Sequence, residues 1–304
     1  MEMNQLRSFL ALTETQNFTR AAERSNLTQP SLSQQIINLE RELGQKLFHR
    51  LGRKAVLTEA GNAFLPRARN IIRDVDDAAR ELSDHAGLGR RIAVGAVQTV
   101  MPYLVSDLII RCRSSHPHLT INAHEGFRTD LVRAVLEGNL DLAVVPLPVK
   151  DNQLAIEPLL SEPLLLAVGR EHPFARRTEI DAGAIAGETF VGLGDSSALA
   201  AQVRTFFGDR QLEPRIGIRC TQVATLKRFV AAGLGISLLP QLARHEEDGE
   251  SLVYLRLSGT EPRRELVVIR HLQRYQTRGA EEFLTLLRGH VRERFPTPQA
   301  EEKT

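Results

Sequence analysis

The sequence contains few of the residues on which several large protein classes depend. Its two cysteines, Cys112 and Cys220, lie far apart, and neither belongs to a CxxC or cysteine–histidine cluster. This pattern argues against a zinc site and a disulfide scaffold, and it fits a reducing compartment. The chain has no run of about 18 apolar residues, and no basic segment followed by an apolar core at its start. We therefore expect a cytoplasmic protein without a membrane span or an export signal.

Net charge and catalytic motifs are also scarce. The 39 lysines and arginines nearly balance the 37 acidic residues, giving a net charge of +2, so nucleic-acid binding would depend on where the charges lie. No Ser/His/Asp set, paired carboxylates, GxGxxG or P-loop lysine stands out, and His116 and His118 lack a third metal ligand. We predict that the protein is not an enzyme and needs no cofactor or metal. Tryptophan is absent, so a ligand would change no tryptophan fluorescence.

The first 86 residues have apolar side chains at helical spacing. Three short amphipathic helices are predicted around Leu6–Leu12, Phe18–Ala22 and Leu32–Leu43. Thr28 suits the N-cap of the third helix, and Gly44 suits its end. Because a turn of only about four residues separates the second and third helices, the pattern is typical of a helix-turn-helix. The alternative is an ordinary helical hairpin.

A basic hairpin after the third helix favours the helix-turn-helix. Residues 48–57 predict a two-stranded wing with Gly52 at its tip, and its cations suit contact with phosphates. The alternative for these cations is a solvated run of charge. Glutamines and serines on the third helix can hydrogen-bond base edges. The predicted DNA-binding residues are Gln29, Pro30, Ser31, Ser33, Gln34, Arg50, Arg53 and Lys54.

A long helix is predicted after the wing. Thr58 can cap it, and it runs without glycine or proline from Arg67 to Ala86. Its apolar residues alternate in steps of four and three, as in a short coiled-coil seam: Phe64, Ala68, Ile71, Val75, Ala78 and Leu82. We predict a linker helix that forms a dimer. The alternative is a helix that packs only on its own domain.

From Arg91 the pattern changes to short strands that alternate with helices. A βαβαβ order over residues 92–145 predicts parallel strands with right-handed crossovers. A second set of strands and helices begins at Pro163 and ends in a closing helix through Phe295. Together they predict a hinged ligand-binding domain of two α/β lobes.

The cleft between these lobes is the predicted small-molecule site. Four turns from strand to helix carry small hydroxyl residues, and a helix N-terminus with a hydroxyl suits a carboxylate or another anion. The alternative is that each hydroxyl only caps its own helix. The predicted effector residues are Gln98, Thr99, Val100, Phe127, Thr129, Pro146, Ser196, Ser197, Ala198, Thr221 and Gln222.

Several blocks of the N-terminal region resemble the LysR-type transcriptional regulators. They are Phe18–Ala22, Leu27–Ser33, Ile36–Gly44, Leu47–Arg50 and Leu57–Gly61, and the resemblance extends over essentially the whole chain. It implies an α/β protein with a winged helix-turn-helix at residues 1–58, a dimerising linker helix at 59–87 and an effector domain like a periplasmic binding protein at 90–304. Lobe I would comprise about 90–161 and 268–304, and lobe II about 162–267.

The same resemblance implies the partners of the protein. They are double-stranded DNA with an interrupted dyad, a small-molecule effector, a second copy in a homodimer that assembles to a dimer of dimers, and RNA polymerase. One departure lies on the recognition helix, where family members often carry an arginine after the serine and this chain has Gln34 after Ser33. That departure affects the expected base preference of this chain and leaves the expectation of DNA binding unchanged.

In the effector domain, four segments are most similar to the OxyR-type, peroxide-sensing branch: Thr99–Leu104, Leu226–Ile236, Leu238–Pro240 and Glu261–Arg264. The redox cysteine pair of that branch should fall at Ala198 and Phe207, which cannot form a disulfide. Because thiol switching needs an exposed thiolate with a nearby partner, we expect sensing by a non-covalent effector. Two alternatives remain: a thiol-based redox-responsive regulator through Cys112 or Cys220, and a solute-binding or periplasmic-binding-protein-like enzyme domain.

Overall fold

The computed structural model of the chain describes residues 1–52, 54–85, 90–259 and 261–295. The chain forms two compact units, Met1–Ala86 and Gly87–Thr304. Among the residues described, none of the helices combines the length and the apolar character needed to cross a bilayer.

The first unit contains the predicted helix-turn-helix and wing. Its elements are α1 (Met3–Thr15), α2 (Phe18–Arg24), α3 (Gln29–Leu43), β1 (Phe48–Leu51), β2 (Lys54–Leu57) and α4 (Glu59–His85). Asn17 caps α2 and Thr28 caps α3 through their side-chain oxygens. Gly44 at the end of α3 and Gly52 at the wing tip have φ of 65° and 62°, the left-handed conformation that glycine adopts at little cost. These features confirm the sequence prediction for the order of the elements.

A buried carboxylate joins α3 to the wing. Glu40 is 5 % exposed, and its side chain accepts hydrogen bonds from the amides of Leu47 (2.9 Å) and Phe48 (3.2 Å) and from Lys46 Nζ (2.8 Å). The wing therefore starts at a defined distance from the C-terminal end of α3. Lys46, which the sequence places among the cations near the wing, is already paired with this carboxylate.

The linker helix α4 begins directly after the predicted cap Thr58, and it includes Gly61 and Pro66 before the uninterrupted run from Arg67. Thr58 accepts a hydrogen bond from the Gly61 amide at 3.0 Å, as a capping residue does. A Cβ atom on Gly61 would lie 2.2 Å from the Leu47 carbonyl oxygen, so close contact with the wing requires glycine at this point of the helix.

The second unit is a two-lobed α/β structure. Its strands are β3 (Arg90–Val97), β4 (Leu119–Gly126), β5 (Leu142–Pro146), β6 (Leu154–Gly169), β7 (Glu179–Asp181), β8 (Thr189–Leu193), β9 (Arg215–Cys220), β10 (Ser237–Pro240), β11 (Leu252–Ser258) and β12 (Arg263–His271). Its helices are α5 (Ser106–Ser115), which follows a π-helical turn at Met101–Val105, α6 (Arg128–Leu136), α7 (Ala198–Gly208), α8 (Val223–Ala231) and α9 (Arg278–Arg294). Short 3-10 turns occur at Pro173–Arg176, Gln241–Ala243 and Glu246–Glu250.

The sheet is parallel only in part. Strand β3 pairs in parallel with β4 and β5, as predicted, whereas β12 is antiparallel to β5 and β6. The strand order is β4-β3-β5-β12-β6-β11-β7, with β10 on β6, and β8 and β9 form a separate parallel pair. Strand β6 begins at Leu154, well before the predicted start of the second set at Pro163, and β7 and β11 were not predicted.

Two hydrophobic cores define the lobes. One contains Val94, Val144, Phe283 and their neighbours, and the other contains Phe190, Phe207, Leu238 and their neighbours. Strand β6 crosses from one to the other, since Leu154 packs in the first core and Leu164 in the second. The confirmed fold class is thus an N-terminal winged helix-turn-helix with a C-terminal unit of two α/β lobes.

Candidate functional site

The outer face of α3 is polar and exposed. Its buried residues Leu32, Ile36 and Leu39 pack in the core of the first unit, which turns the intervening side chains outward. The predicted DNA-binding residues Gln29, Pro30, Ser31 and Gln34 are exposed, and Ser33 is half-buried. Gln29 lies 3.4 Å from Ser33 Oγ, and Gln34 donates to Asn38 at 2.9 Å, so neighbouring residues hold these amides along one face.

The wing carries exposed cations, one of which lies beside the start of α2. Arg50 and Lys54 are exposed, and the Arg50 guanidinium lies 4.9 Å from the centre of the Phe18 ring at the start of α2. Stacking on an aromatic ring restricts a guanidinium while leaving its N–H groups free to donate. Arg53, which was predicted with them, lies outside the described residues.

The apolar seam of α4 divides into two halves. Ala68 is fully buried in the core of the first unit, and Phe64 and Ile71 pack against that core. Val75 and Leu82 are 45 % and 74 % exposed. The first half therefore packs on its own domain, whereas the second half presents apolar side chains that this unit does not cover.

The first-lobe group comprises the predicted residues Gln98, Thr99, Val100, Phe127, Thr129 and Pro146. Strand register brings them to one edge of the sheet, because Val97 at the end of β3 pairs with Gly126 at the end of β4, and β5 runs in parallel on the other side of β3. No side chain caps the N-terminus of α6, where Phe127 is the N-cap residue, and Thr129 is exposed. The Arg128 and Thr129 amides of this first turn are therefore available to a ligand, whereas the Asp130 amide donates to the Phe127 carbonyl at 3.1 Å.

The second-lobe group comprises Ser196, Ser197, Ala198, Thr221 and Gln222. Leu193 at the end of β8 pairs with Cys220 at the end of β9, so the turns into α7 and α8 are neighbours. Ser197 caps α7 by accepting from the Leu199 amide at 3.2 Å, as the capping alternative predicts for it. The N-terminus of α8 has no side-chain cap, and the Ser196 and Thr221 side chains are exposed.

A buried ion pair beside the first-lobe group was not predicted as a functional element. Arg264 Nη1 donates to Thr99 Oγ1 at 2.6 Å, and the same guanidinium pairs with Glu162 at 2.7 Å, with both charged side chains 1 % exposed or less. Burial lowers the pKa of Arg264, and the nearby Glu162 carboxylate opposes this shift. The Thr99 hydroxyl is therefore occupied by a structural contact. The alternation of residues along β12 could have predicted that Arg264 is buried, since it shares a face with Leu266 and Val268.

The two cysteines lie in different hydrophobic cores. Cys112 is 2 % exposed in the first core and Cys220 is 6 % exposed in the second. Burial raises the pKa of both thiols, so the reactive thiolate is disfavoured. Ala198 and Phe207 occupy α7, where the related redox sensors are expected to have their cysteine pair.

The described residues contain no group of three or more histidine, cysteine, aspartate or glutamate side chains arranged to hold a metal ion. A small apolar cavity of about 60 Å³ lies behind the second-lobe group, between Leu193, Leu199 and Ile216, with Arg219 at its edge.

Comparison with known proteins is consistent with this arrangement. A family model described as a bacterial regulatory helix-turn-helix protein of the lysR family matches residues 3–62, and one described as a LysR substrate binding domain matches residues 85–292. The DNA-binding transcriptional dual regulator OxyR of Escherichia coli K12 is 35 % identical over 273 residues, which cover 88 % of this chain and 89 % of that protein.

Two further relatives cover nearly the whole chain. The uncharacterised HTH-type transcriptional regulator YcgK of Bacillus subtilis is 31 % identical over 299 residues, or 92 % of each protein. A full-length OxyR variant from Pseudomonas aeruginosa superposes with a TM-score of 0.74 at 26 % identity, covering 96 % of this chain and 95 % of that one.

Proposed function

The chain belongs to the LysR family of DNA-binding transcriptional regulators with an effector-binding domain, and on that premise we propose how this member reads DNA and what it senses. The family is one of regulators rather than enzymes. We propose that α3 and the wing contact DNA, and that a small organic anion at the strand ends of the two lobes changes the geometry of the bound DNA.

The exposed polar face of α3 beside the cationic wing carries the DNA proposal. Gln29 and Gln34 present amides that can pair with adenine, and Arg50 and Lys54 supply the charges for phosphates. Pro30, Ser31, Ser33 and Arg53 complete the proposed set. The base preference then depends on Gln34, since it follows Ser33 where relatives often carry arginine.

The uncapped N-termini of α6 and α8 support the effector proposal. Each follows the carboxyl end of a parallel strand, where ligands of α/β folds bind, and each offers free amides and a positive dipole end. The first-lobe and second-lobe groups would then line one cleft. Because the sensing cysteine positions hold Ala198 and Phe207, we propose reversible binding rather than disulfide formation.

A homodimer is part of the proposal. The exposed Val75 and Leu82 on α4 would pack against the same helix of a second copy, and two recognition helices would then enter successive major grooves of an interrupted dyad. We also propose that the homodimer assembles to a dimer of dimers and contacts RNA polymerase. The proposed division of the chain is into three parts, at 1–58, 59–87 and 90–304.

DNA binding can be tested by fluorescence anisotropy on the DNA upstream of the gene that encodes the protein and on random DNA. Lys54→Ala should weaken binding to both and reduce the salt slope by about 0.9 per lost phosphate contact. Gln34→Ala should instead change the preference between sequences by about 1–3 kcal/mol. Arg7→Gln is the matched control, because Arg7 pairs with Asp76 on α4. Equal affinity of the wild type for both DNAs would refute the proposal.

The effector site can be tested with carboxylates drawn from the reactions of neighbouring genes. A carboxylate that binds should raise the melting temperature of the wild type and lose this effect in Thr221→Val. Thr285→Val is the control, since this exposed threonine donates to the Glu281 carbonyl of its own helix, α9. A shift that persists in Thr221→Val would place the ligand elsewhere.

A further inference from the structure

A second cavity lies in the C-terminal unit, and its lining includes no residue of the first-lobe or second-lobe group. It has a volume of about 490 Å³, within the range of roughly 300–1,000 Å³ that small-molecule sites occupy. Its wall combines residues around β11, among them Arg244, His245, Glu246, Leu252 and Tyr254, with Arg294 and Phe295 from the end of α9. Because α9 packs in the first core and Leu252 in the second, a ligand here would touch both lobes.

An internal network holds one wall of this cavity in place. Asp248 accepts hydrogen bonds from Lys227 Nζ (2.6 Å), the Tyr254 hydroxyl (2.7 Å) and the His245 amide (2.8 Å). Burial alone would raise the pKa of Asp248, but these contacts together lower it, so the carboxylate stays charged. Lys227 also donates to the Ala243 carbonyl at 2.5 Å. The backbone that carries Arg244 and His245 is thus fixed before any ligand arrives.

Arg244 and the two aromatic rings favour a flat ligand with one carboxylate, and Glu246 in the same lining limits the excess of positive charge. The Arg244 guanidinium lies 5.8 Å from the centre of the Tyr254 ring, and the Arg294 guanidinium lies 5.7 Å from that of Phe295. Arg294 is paired with Asp107 at 2.8 Å, whereas none of the carboxylates in the described residues pairs with Arg244. Two aromatic faces with a guanidinium free to bind a carboxylate suit a ring system that carries such a group.

We propose that this cavity is a second ligand site, which binds a planar aromatic carboxylate between Arg244 and the Tyr254 and Phe295 rings. It is independent of the effector site at the strand ends. Occupancy by such a ligand bridges the two lobes and biases their arrangement.

The test uses naphthoate and the full-length protein. Calorimetric titration gives the affinity, and naphthalene fluorescence confirms it without interference, since the chain has no tryptophan. Arg244→Gln should weaken binding about tenfold or more, because it removes a charge-assisted hydrogen bond. Arg113→Gln, which removes an equally exposed charge from α5, should leave the affinity unchanged.

Four further arms test the charge of the ligand and the location of the site. Naphthylmethylammonium, with the same rings and the opposite charge, and inorganic phosphate, without rings, should both bind more weakly than naphthoate. Arg244→Glu should reverse the preference between the two naphthalene ligands, which a purely structural effect would not do. Absence of saturable naphthoate binding, or a loss of binding in Arg219→Gln beside the second-lobe group instead of in Arg244→Gln, would overturn the proposal.

Discussion

Replacing Arg264 with methionine should strongly destabilise the C-terminal unit. The substitution leaves the Glu162 carboxylate buried, and the Leu242 amide at 2.5 Å is then its remaining hydrogen-bond donor among the described residues. Removing one partner of a buried ion pair costs about 3–5 kcal/mol, because the other charge stays desolvated without its counter-charge. Arg264→Met also removes the hydrogen bonds to the Thr99 hydroxyl and carbonyl oxygens.

A double variant separates the ion pair from simple loss of packing. Arg264→Met combined with Glu162→Met removes both charges and keeps most of the buried volume. The remaining cost is that of the unsatisfied Thr99 and Leu242 groups, at about 1–3 kcal/mol for each buried group. The double variant should therefore be much less destabilised than the sum of the two single variants.

Scanning calorimetry of the full chain measures this effect, because it can resolve the transition of each unit. For a unit of this size each kcal/mol shifts the melting temperature by roughly 2–4 °C, so Arg264→Met should lower it by roughly 6–20 °C. Additive losses in the double variant would refute the argument that the two charges stabilise each other. A single-variant loss below about 1 kcal/mol would show that the pair is not desolvated.

Two further predictions concern the glycine contact at the wing and the network of Asp248. Gly61→Ala should destabilise the first unit by about 1–3 kcal/mol in thermal unfolding despite the better helix propensity of alanine, because the new Cβ meets the Leu47 carbonyl oxygen at 2.2 Å. Gly289→Ala in α9 is the control: a Cβ has open space there, so this variant should be stabilised by about 0.5–1 kcal/mol. Equal effects of the two substitutions would contradict the steric argument. Asp248→Asn should cost about 2–4 kcal/mol at neutral pH by breaking the half-buried pair with Lys227. The folded pKa of Asp248 lies below its ordinary value of 3.8, so the pair stabilises the protein above that pH, and this contribution is lost as the pH falls through the folded pKa. Urea unfolding at a series of pH values should therefore show less acid destabilisation in Asp248→Asn than in the wild type. Parallel curves of unfolding free energy against pH for the two proteins would contradict this prediction.

Local signals were sufficient to predict the first unit. Thr28, Gly44 and Gly52 mark the start of α3, its end and the wing tip, because caps and left-handed turns depend on only a few neighbouring residues. The cap Thr58 also predicts the start of α4, although Gly61 and Pro66 usually interrupt helices. Packing of Phe64 on the domain core and contact of Gly61 with the wing override that local preference.

Long-range pairing explains what was missed in the second unit. Strand β6 contains Pro158 and Pro163, which argue against a strand. The ladder with β12 accommodates Pro158 at a register shift between Leu266 and Val267, where regular pairing is interrupted. A bulge of this kind depends on a partner strand about a hundred residues away, which local periodicity does not reveal.

The sequence by itself determined the order of the elements in the first unit and the family. It also showed that Ala198 and Phe207 stand where the related redox sensors are expected to have cysteine. These depend on residue type, spacing and helical or strand periodicity, which can be read along the chain. The tertiary structure decided which of the predicted hydroxyls already hydrogen-bond within the protein, since Ser197 caps α7 and Thr99 accepts from Arg264, 165 residues away. It also formed the cavity around Arg244 from two distant segments. A side chain becomes buried or gains a counter-charge only when remote segments meet. For that reason the burial and the bonding partners of each site residue could not be predicted from the sequence.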